Sequence, residues 1–441
     1  MTDTIAAISS PFGEGAIGVL RLSGPRSHEI LASLFAGHLA RPRKPTPRRL
    51  THGLLSKNGQ VLDDVLATTF SGPKSYTGED MAEIYCHGGI LVTRRILDAL
   101  LASGARLAEP GEFSFRAFAH GKMDLTQAEA VMDVIRAQTD LALRASQEQL
   151  SGKLGEAMMA LRTELLQILA HLEAYIDFPD EDIDPETGEQ FCQRVTRAVG
   201  EIDRLLATAS RGRLLREGVR TVIYGEPNVG KSSLLNTLSG FDRAIVSSTP
   251  GTTRDLIEEN INLGGVHLRL IDTAGIRASE DEIEQQGMAR SRHALDTADL
   301  VLHLVAAPHP PGEALPGDNI LIVANKTDLG LHPGWENRAI PISCQEQTGF
   351  DLLEKAILEK VFGGSLLLQN SEIAISARHK NCLIRAQKAC QEALHALKEG
   401  VSIELIAIEL HTALDAIGEV MGRVESDDIL GEIFSTFCIG K

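Results

Sequence analysis

Residues 225–236 read GEPNVGKSSLLN, and Gly225, Gly230, Lys231 and Ser232 in it have the spacing G-x-x-x-x-G-K-[ST]. The apolar run RTVIYG precedes the stretch and SSLLNTLSG follows, which is the strand-loop-helix setting that this spacing requires. Small residues let backbone N–H groups wrap a polyphosphate, Lys231 neutralises its outer charge, and the Ser232 hydroxyl can ligate magnesium. Asn228, Val229 and Ser233 belong to the same cradle. Three further elements follow in order. PGTTRD (250–255) offers Thr253 to complete a magnesium shell. LRLIDTAG ends in Asp272 and Gly275, an acceptor for the metal's outer shell and a backbone N–H for a γ-phosphate. ILIVANKTD supplies Asn325, Lys326 and Asp328. A carboxylate at Asp328 can accept both the N1–H and the exocyclic amine of guanine, and adenine has no such donor pair. The set predicts hydrolysis of GTP rather than ATP.

Two positions depart from the usual pattern. Ile276 follows D-x-x-G where Ras-like enzymes carry a Gln that orients the attacking water, and an apolar side chain cannot do that. The acidic run after it leaves Glu280, Asp281, Glu282 and Glu284 as alternatives, most of which also suit a solvated helix start. The segment expected to back the guanine reads ISCQEQTG, so Ser343 and Cys344 would present backbone N–H groups to the base. The stretch APHPPGEALPGD is short for the helix expected there, which suggests an abbreviated nucleotide-binding domain.

These residues need a scaffold. At about 150 residues per domain, the 441-residue length suggests two to four domains. Residues 1–120 alternate short strand-type runs with turns and a helical pattern, an α+β character. Long helices follow over 121–217, with capping-box spacings at Thr126/Glu129 and Thr187/Gln190. Strand, loop and helix then alternate over 218–371 as in a parallel α/β sheet, and helical patterning resumes over 372–441. The economical organisation is a helical domain (121–217 and 372–441) with an α/β domain inserted into it. Lys and Arg number 43 against 60 Asp and Glu, a formal charge of −17. The whole would repel a phosphate backbone, so nucleic-acid contact must be local or shared. RPRKPTPRR and the hinge RGRLLREGVR are the local candidates, and both also suit solvated loops. The absence of a leader-like or membrane-length apolar run points to a cytoplasmic chain without membrane contact. Six Cys without a CxxC pair indicate neither zinc nor a disulfide framework, and five suit buried small hydrophobes. Cys438 is either a packed side chain or a thiol acting on a substrate.

GAIGVLRLSG, PGEFSFRAFAHGKMDLTQAEA, LLREG, FCIGK and the middle segment with Ile276 together resemble the MnmE (TrmE) family of tRNA modification GTPases, over essentially the whole chain. The resemblance implies an N-terminal folate-binding-like domain, a helical domain and an inserted Ras-like P-loop GTPase domain. It also implies a homodimer that works with an FAD-containing partner, MnmG (GidA). The pair would install an aminomethyl-type group on C5 of the tRNA wobble uridine, the one-carbon unit coming from a 5-formyl- or methylene-tetrahydrofolate. A potassium ion held by Asn228, Ser247, Thr249 and Thr252 would supply positive charge, and Glu284 would orient the water through a second one. Folate would meet Arg21, Glu83, Lys122 and Lys441, and Cys438 would be the candidate thiol at the uridine ring. The alternatives are a regulatory or ribosome-assembly GTPase without one-carbon chemistry, and a folate-dependent transferase whose nucleotide domain is dispensable.

Overall fold

The structure is a computed structural model that describes residues 2–37, 45–177, 188–241, 259–271, 294–312, 315–363, 373–399, 401–423 and 427–441. The chain forms two compact units. One contains Met1–Met132, Gly155–Leu166 and His411–Lys441, and the other contains Asp133–Leu154 and Gln167–Leu410.

In the first unit β1 (Ile5–Ile8), β2 (Gly15–Ser23), α1 (Ser27–Leu34), β3 (Phe35–Gly37), β4 (Thr51–Lys57), β5 (Gln60–Phe70), β6 (Met81–Gly88), α2 (Ile90–Leu101) and β7 (Arg106–Leu107) build a sheet ordered β3-β4-β5-β6-β2-β1-β7. Side chains alternate across it. Leu20, Leu22, Ala82 and Ile84 join Ile30 and Leu31 of α1 and Ile96 and Leu100 of α2 in one core. The opposite face carries Ile5, Ala7 and Met81, which pack with Phe113 of α3 (Glu112–Ala119), and the polar pair Arg21 and Glu83.

That second face is fixed by Arg116, a guanidinium with no exposed surface. It donates to Asp3 Oδ1 at 2.9 Å, to Glu112 Oε1 at 2.8 Å and to Glu79 Oε2 at 3.1 Å. Arg106 adds bonds of 2.7 Å to Asp3 and to Glu112. A buried cation is tolerable only when its donors are matched in this way. Asp3 is held below its ordinary value chiefly by Arg106. For Glu112, burial acts upward and is outweighed by Arg106, the Glu109 backbone and Arg116.

The helical stretch that follows α3 begins with α4 (Leu125–Arg136), α5 (Asp140–Leu150) and α6 (Lys153–Asp177). The expected Thr126/Glu129 cap is corrected. Asp124 caps α4 by accepting from Gln127 N, and the Gln127 side chain accepts from Asp124 N. The same reciprocal pattern therefore sits two residues earlier, with Asp and Gln in the roles. A break at residues 137–139 separates α4 from α5, where the Thr139 hydroxyl accepts from Ala142 N at 3.1 Å. Thr187 lies outside the described residues, and α7 runs Gly188–Ala207.

The hinge RGRLLREG is not a loop but α8 (Ala209–Glu217), stopped by Gly218 at φ +80°. Its arginines are engaged: Arg213 with Asp299 at 2.5 Å, and Arg216 with Asp133 and with Gln149 at 2.8 Å. Both side chains thus carry internal ion pairs, which removes them from the solvated-loop reading. Only Pro45–Arg49 of RPRKPTPRR lies within the described residues.

In the second unit β8 (Val219–Tyr224), α9 (Lys231–Phe241), β9 (Glu259–Leu263), β10 (Val266–Leu270), β11 (Leu300–Ala306), β12 (Ile320–Asn325) and β13 (Ile340–Pro341) form a sheet ordered β13-β12-β11-β8-β10-β9. All its pairs are parallel except β9 with β10. Its near-continuous apolar strands are buried against Leu234 and Leu238 of α9 and Leu353 and Ile357 of the helix Phe350–Phe362, as a parallel sheet requires. Helices Ala377–Lys398, Ile403–Val420 and Asp427–Ser435 complete the chain, and Ser376 and His379 form a capping box at the first. Cys86, Cys382 and Cys390 are buried, whereas Cys192 and Cys344 are only partly so. Among the described residues no helix is long and apolar enough to cross a membrane.

Replacing Arg116 by Met leaves the poorly solvated Glu79 without its cation and Glu112 with Arg106 alone, and is expected to cost about 3–5 kcal/mol of stability in thermal or urea unfolding. Carboxylates with depressed folded values stabilise the fold above their unfolded values, 3.8 for Asp3 and 4.5 for Glu112. That contribution is lost as pH falls through the lower folded values. The melting temperature should therefore fall on acidification below that range, and less steeply in the Arg116→Met variant.

Candidate nucleotide and folate sites

Strand β8 delivers the chain to the edge where the phosphate loop begins. Gly225 stands at φ +157° and Gly230 at φ +102°. A Cβ at Gly225 would lie 2.2 Å from Leu304 O, and one at Gly230 would lie 2.3 Å from Asn325 Nδ2, so only glycine fits at either position. Asn228 takes the left-handed conformation at φ +64°, a geometry that Asn tolerates. Val229 is buried and Ser232 and Ser233 are exposed on the first turn of α9. Lys231 Nζ donates to Gly225 O and Glu226 O, each at 2.8 Å, and burial lowers its pKa. These are neutral carbonyl partners that an anionic oxygen would outcompete.

The segment after β12 is tied to this loop. Asn325, 2% exposed, donates through Nδ2 to Val229 O at 2.9 Å and accepts at Oδ1 from Cys344 N at 3.1 Å. Lys326 Nζ donates to Asn228 O at 2.7 Å. Asp328 Oδ1 accepts from Ser343 Oγ at 2.6 Å, and that hydroxyl also accepts from Glu346 N at 3.1 Å. Ser343 N meanwhile donates to Thr348 O at 3.1 Å. The structure thus brings together Asn228, Val229, Lys231, Asn325, Lys326, Asp328 and Ser343. The two backbone N–H groups expected to face a guanine are engaged inside the protein, so a base oxygen must share or replace the bond from Cys344 to Asn325. Thr253, Asp272, Gly275, Ile276 and Glu284 lie outside the described residues, as do Ser247, Thr249 and Thr252.

The first unit holds a second constellation. Arg21 on β2 and Glu83 on β6 are direct cross-strand partners, joined at 2.9 Å from Nε to Oε1. Tyr85 Oη donates to the other carboxylate oxygen at 2.6 Å, and the Arg21 guanidinium lies 5.7 Å from the centre of the Tyr76 ring. Lys441 is brought near. Ser9 Oγ donates to Gly440 O at 3.0 Å, Pro110 bridges Ile439, and a Cβ at Gly440 would lie 2.5 Å from Ile8 O. The pKa of Lys441 is lowered by burial and then by the charge of Arg21, against an opposing influence of Cys438. Cys438 is exposed. Lys122 donates instead to the Pro73 carbonyl at 3.0 Å.

A family model described as the GTP-binding protein TrmE N-terminus matches residues 4–122, and one described as the MnmE helical domain matches residues 125–438. The tRNA modification GTPase MnmE of Akkermansia muciniphila is 50% identical over 454 residues, covering 100% of both chains. That of Geobacillus thermodenitrificans is 43% identical and that of Thermoanaerobacter sp. 42%, each over 100% of this chain and 99% of the relative. This chain belongs to the MnmE family. As a member it is a GTP hydrolase, and the phosphate loop with its tie to Asn325 is the machinery that the family label requires.

The folate-type donors and acceptors are compatible with the first unit's cluster. One carboxylate and two cations meet there, and the hydroxyl of Thr68, directly opposite Glu83 on β5, is buried without a hydrogen-bond partner among the described residues. Sequence reasoning missed Thr68, Tyr76 and Tyr85. The two-residue step from Glu83 to Tyr85 was the only available signal, because alternate strand residues share a face.

An Asn325→Ala change removes the donor and the acceptor that join the two loops. Nucleotide affinity in the MnmE-family chain is expected to fall by about 30-fold, which a GDP titration measures.

Proposed function

We propose that this GTPase hydrolyses GTP to drive, with an FAD-containing MnmG partner, the folate-dependent C5 aminomethyl-type modification of the tRNA wobble uridine. The observation that carries the reading is the coexistence in one chain of two sites. One is a phosphate loop hydrogen-bonded to a guanine-type segment, and the other is a carboxylate-and-cation cluster of folate type. We further propose residues 1–120 as the folate-binding and dimerisation domain, 121–217 with 372–441 as the helical domain, and 218–371 as the inserted nucleotide domain.

In this reading Lys231 leaves its two carbonyl partners for the outer phosphates, and the N–H groups around Gly230 hold the inner ones. Asp328, oriented by Ser343, accepts the guanine N1–H and amine. Ser232 and Thr253 would hold magnesium, while Asn228, Ser247, Thr249 and Thr252 would hold potassium. These cations supply charge that stabilises the departing phosphates. Glu284 orients the attacking water in place of the Gln that Ile276 replaces. At the other site Glu83 accepts the pterin edge, Arg21, Lys122 and Lys441 face the carboxylates, and Cys438 supplies a thiol to the uridine ring. The net charge of −17 favours tRNA contact shared with the partner.

GTP hydrolysis compared in potassium chloride and sodium chloride at equal ionic strength tests the nucleotide half. The expected result is a strong potassium-specific stimulation that Glu284→Ala abolishes. Equal rates in the two salts would refute the potassium assignment.

A further inference from the structure

We propose that Tyr85 is a positioning residue. With Arg21, it fixes the Glu83 carboxylate so that its remaining lone pairs meet an adjacent ring N–H and amine of a bound heterocycle, the donor edge of a 2-amino-4-oxopyrimidine ring. The inference rests on the folate reading, in which Glu83 accepts the pterin edge, and deepens it by naming the side chain that prepares the carboxylate.

Glu83 sits in the middle of a cross-strand row, Thr68 on β5, Glu83 on β6 and Arg21 on β2, so all three project from one face. Tyr85 is two residues further along β6 and shares that face. The carboxylate is gripped on both oxygens: Arg21 Nε bonds Oε1 at 2.9 Å, and Tyr85 Oη bonds Oε2 at 2.6 Å. A carboxylate offers about four lone-pair sites, so two such bonds hold its plane and leave one site on each oxygen for a ligand. The charges of Arg21 and Glu83 alone would leave the group free to turn about its terminal torsion, which is broad. The second bond removes that freedom and with it part of the entropic cost of binding.

The donor role is durable. Burial and then the bond to Glu83 push the Tyr85 hydroxyl up to about 12, so it keeps its proton at every physiological pH. The Arg21 and Glu83 pair stands on the same face as Ile5, Ala7, Met81 and Phe113, and Tyr76, which packs on that cluster, also lies over Arg21. Glu83 keeps 12% and Arg21 22% of side-chain exposure, enough for a ligand to reach. The orphaned Thr68 hydroxyl on the same row is a further polar group without a protein partner among the described residues.

The test uses the full chain, wild type and Tyr85→Phe, which keeps the ring and removes only the hydroxyl. Each is titrated calorimetrically with 5-formyltetrahydrofolate and with its 2-desamino analogue, which lacks the amine. The expected result is a loss of about tenfold in affinity for 5-formyltetrahydrofolate in Tyr85→Phe, with a clearly smaller loss for the analogue. A purely structural role would weaken both ligands equally, and that outcome, or no change in either, overturns the inference while leaving the folate reading standing. Failure of the wild type to bind 5-formyltetrahydrofolate overturns the folate reading and the inference together.

Discussion

The nucleotide site depends on a single buried amide. A primary amide is both a donor and an acceptor, and Asn325 uses the two ends on different loops: Nδ2 on the Val229 carbonyl of the phosphate loop, Oδ1 on the Cys344 N–H of the segment beside Asp328. An aspartate could not donate, and an apolar residue would leave both backbone groups unmatched. The constraint spreads outward. Because Nδ2 occupies the space where a Cβ of residue 230 would stand, that position must be glycine. The turn that follows β12 sends Lys326 back onto Asn228 O and leaves Asp328 to be held by Ser343. Residues almost a hundred positions apart thereby form one surface, with lysines at one end and a carboxylate at the other.

The first unit solves a related problem with charge. Arg116 lies fully buried and binds Asp3, Glu79 and Glu112, which draws the beginning of the chain and the loop before β6 onto α3. On the same face the Cys438–Lys441 segment lies against β1 through Gly440 and Ser9, which sets Lys441 near Arg21. The fully matched, buried Arg116 fixes this part of the face, whereas the Arg21 and Glu83 pair stays partly open. A face that is part core and part half-solvated ion pair is suited to a ligand that carries both a planar heterocycle and carboxylates.

What could be read from sequence follows from how local each constraint is. The phosphate loop and the Asn325–Asp328 segment were legible because backbone geometry permits few residue types at fixed spacing, and the alternation of strands and helices was legible from period alone. Helix ends were less so. Asp124 and Gln127 took the capping roles that Thr126 and Glu129 also matched in spacing, and the break before Thr139 carried no glycine or proline to mark it. The basic run RGRLLREG resembled a loop by charge, yet its arginines have partners at Asp299 and Asp133, which only the fold brings close. The Arg116 network was largely invisible for the same reason, since two of its three acids, Asp3 and Glu79, lie 113 and 37 residues away. Tyr85 could be found only once its face of the sheet was known.

In the proposed reading the loop joined through Asn325 presents Asp328 to a guanine. This is tested most directly by hydrolysis of GTP and of xanthosine triphosphate by the wild type and an Asp328→Asn variant. Xanthine replaces the guanine amine with a carbonyl, so an asparagine can donate where the aspartate accepts. The variant is expected to lose GTP activity by roughly 10⁴-fold and to prefer xanthosine triphosphate, as for a hydrogen-bonding site whose partner is mismatched. A variant that still prefers GTP would mean that Asp328 does not read the base, and would contradict the account.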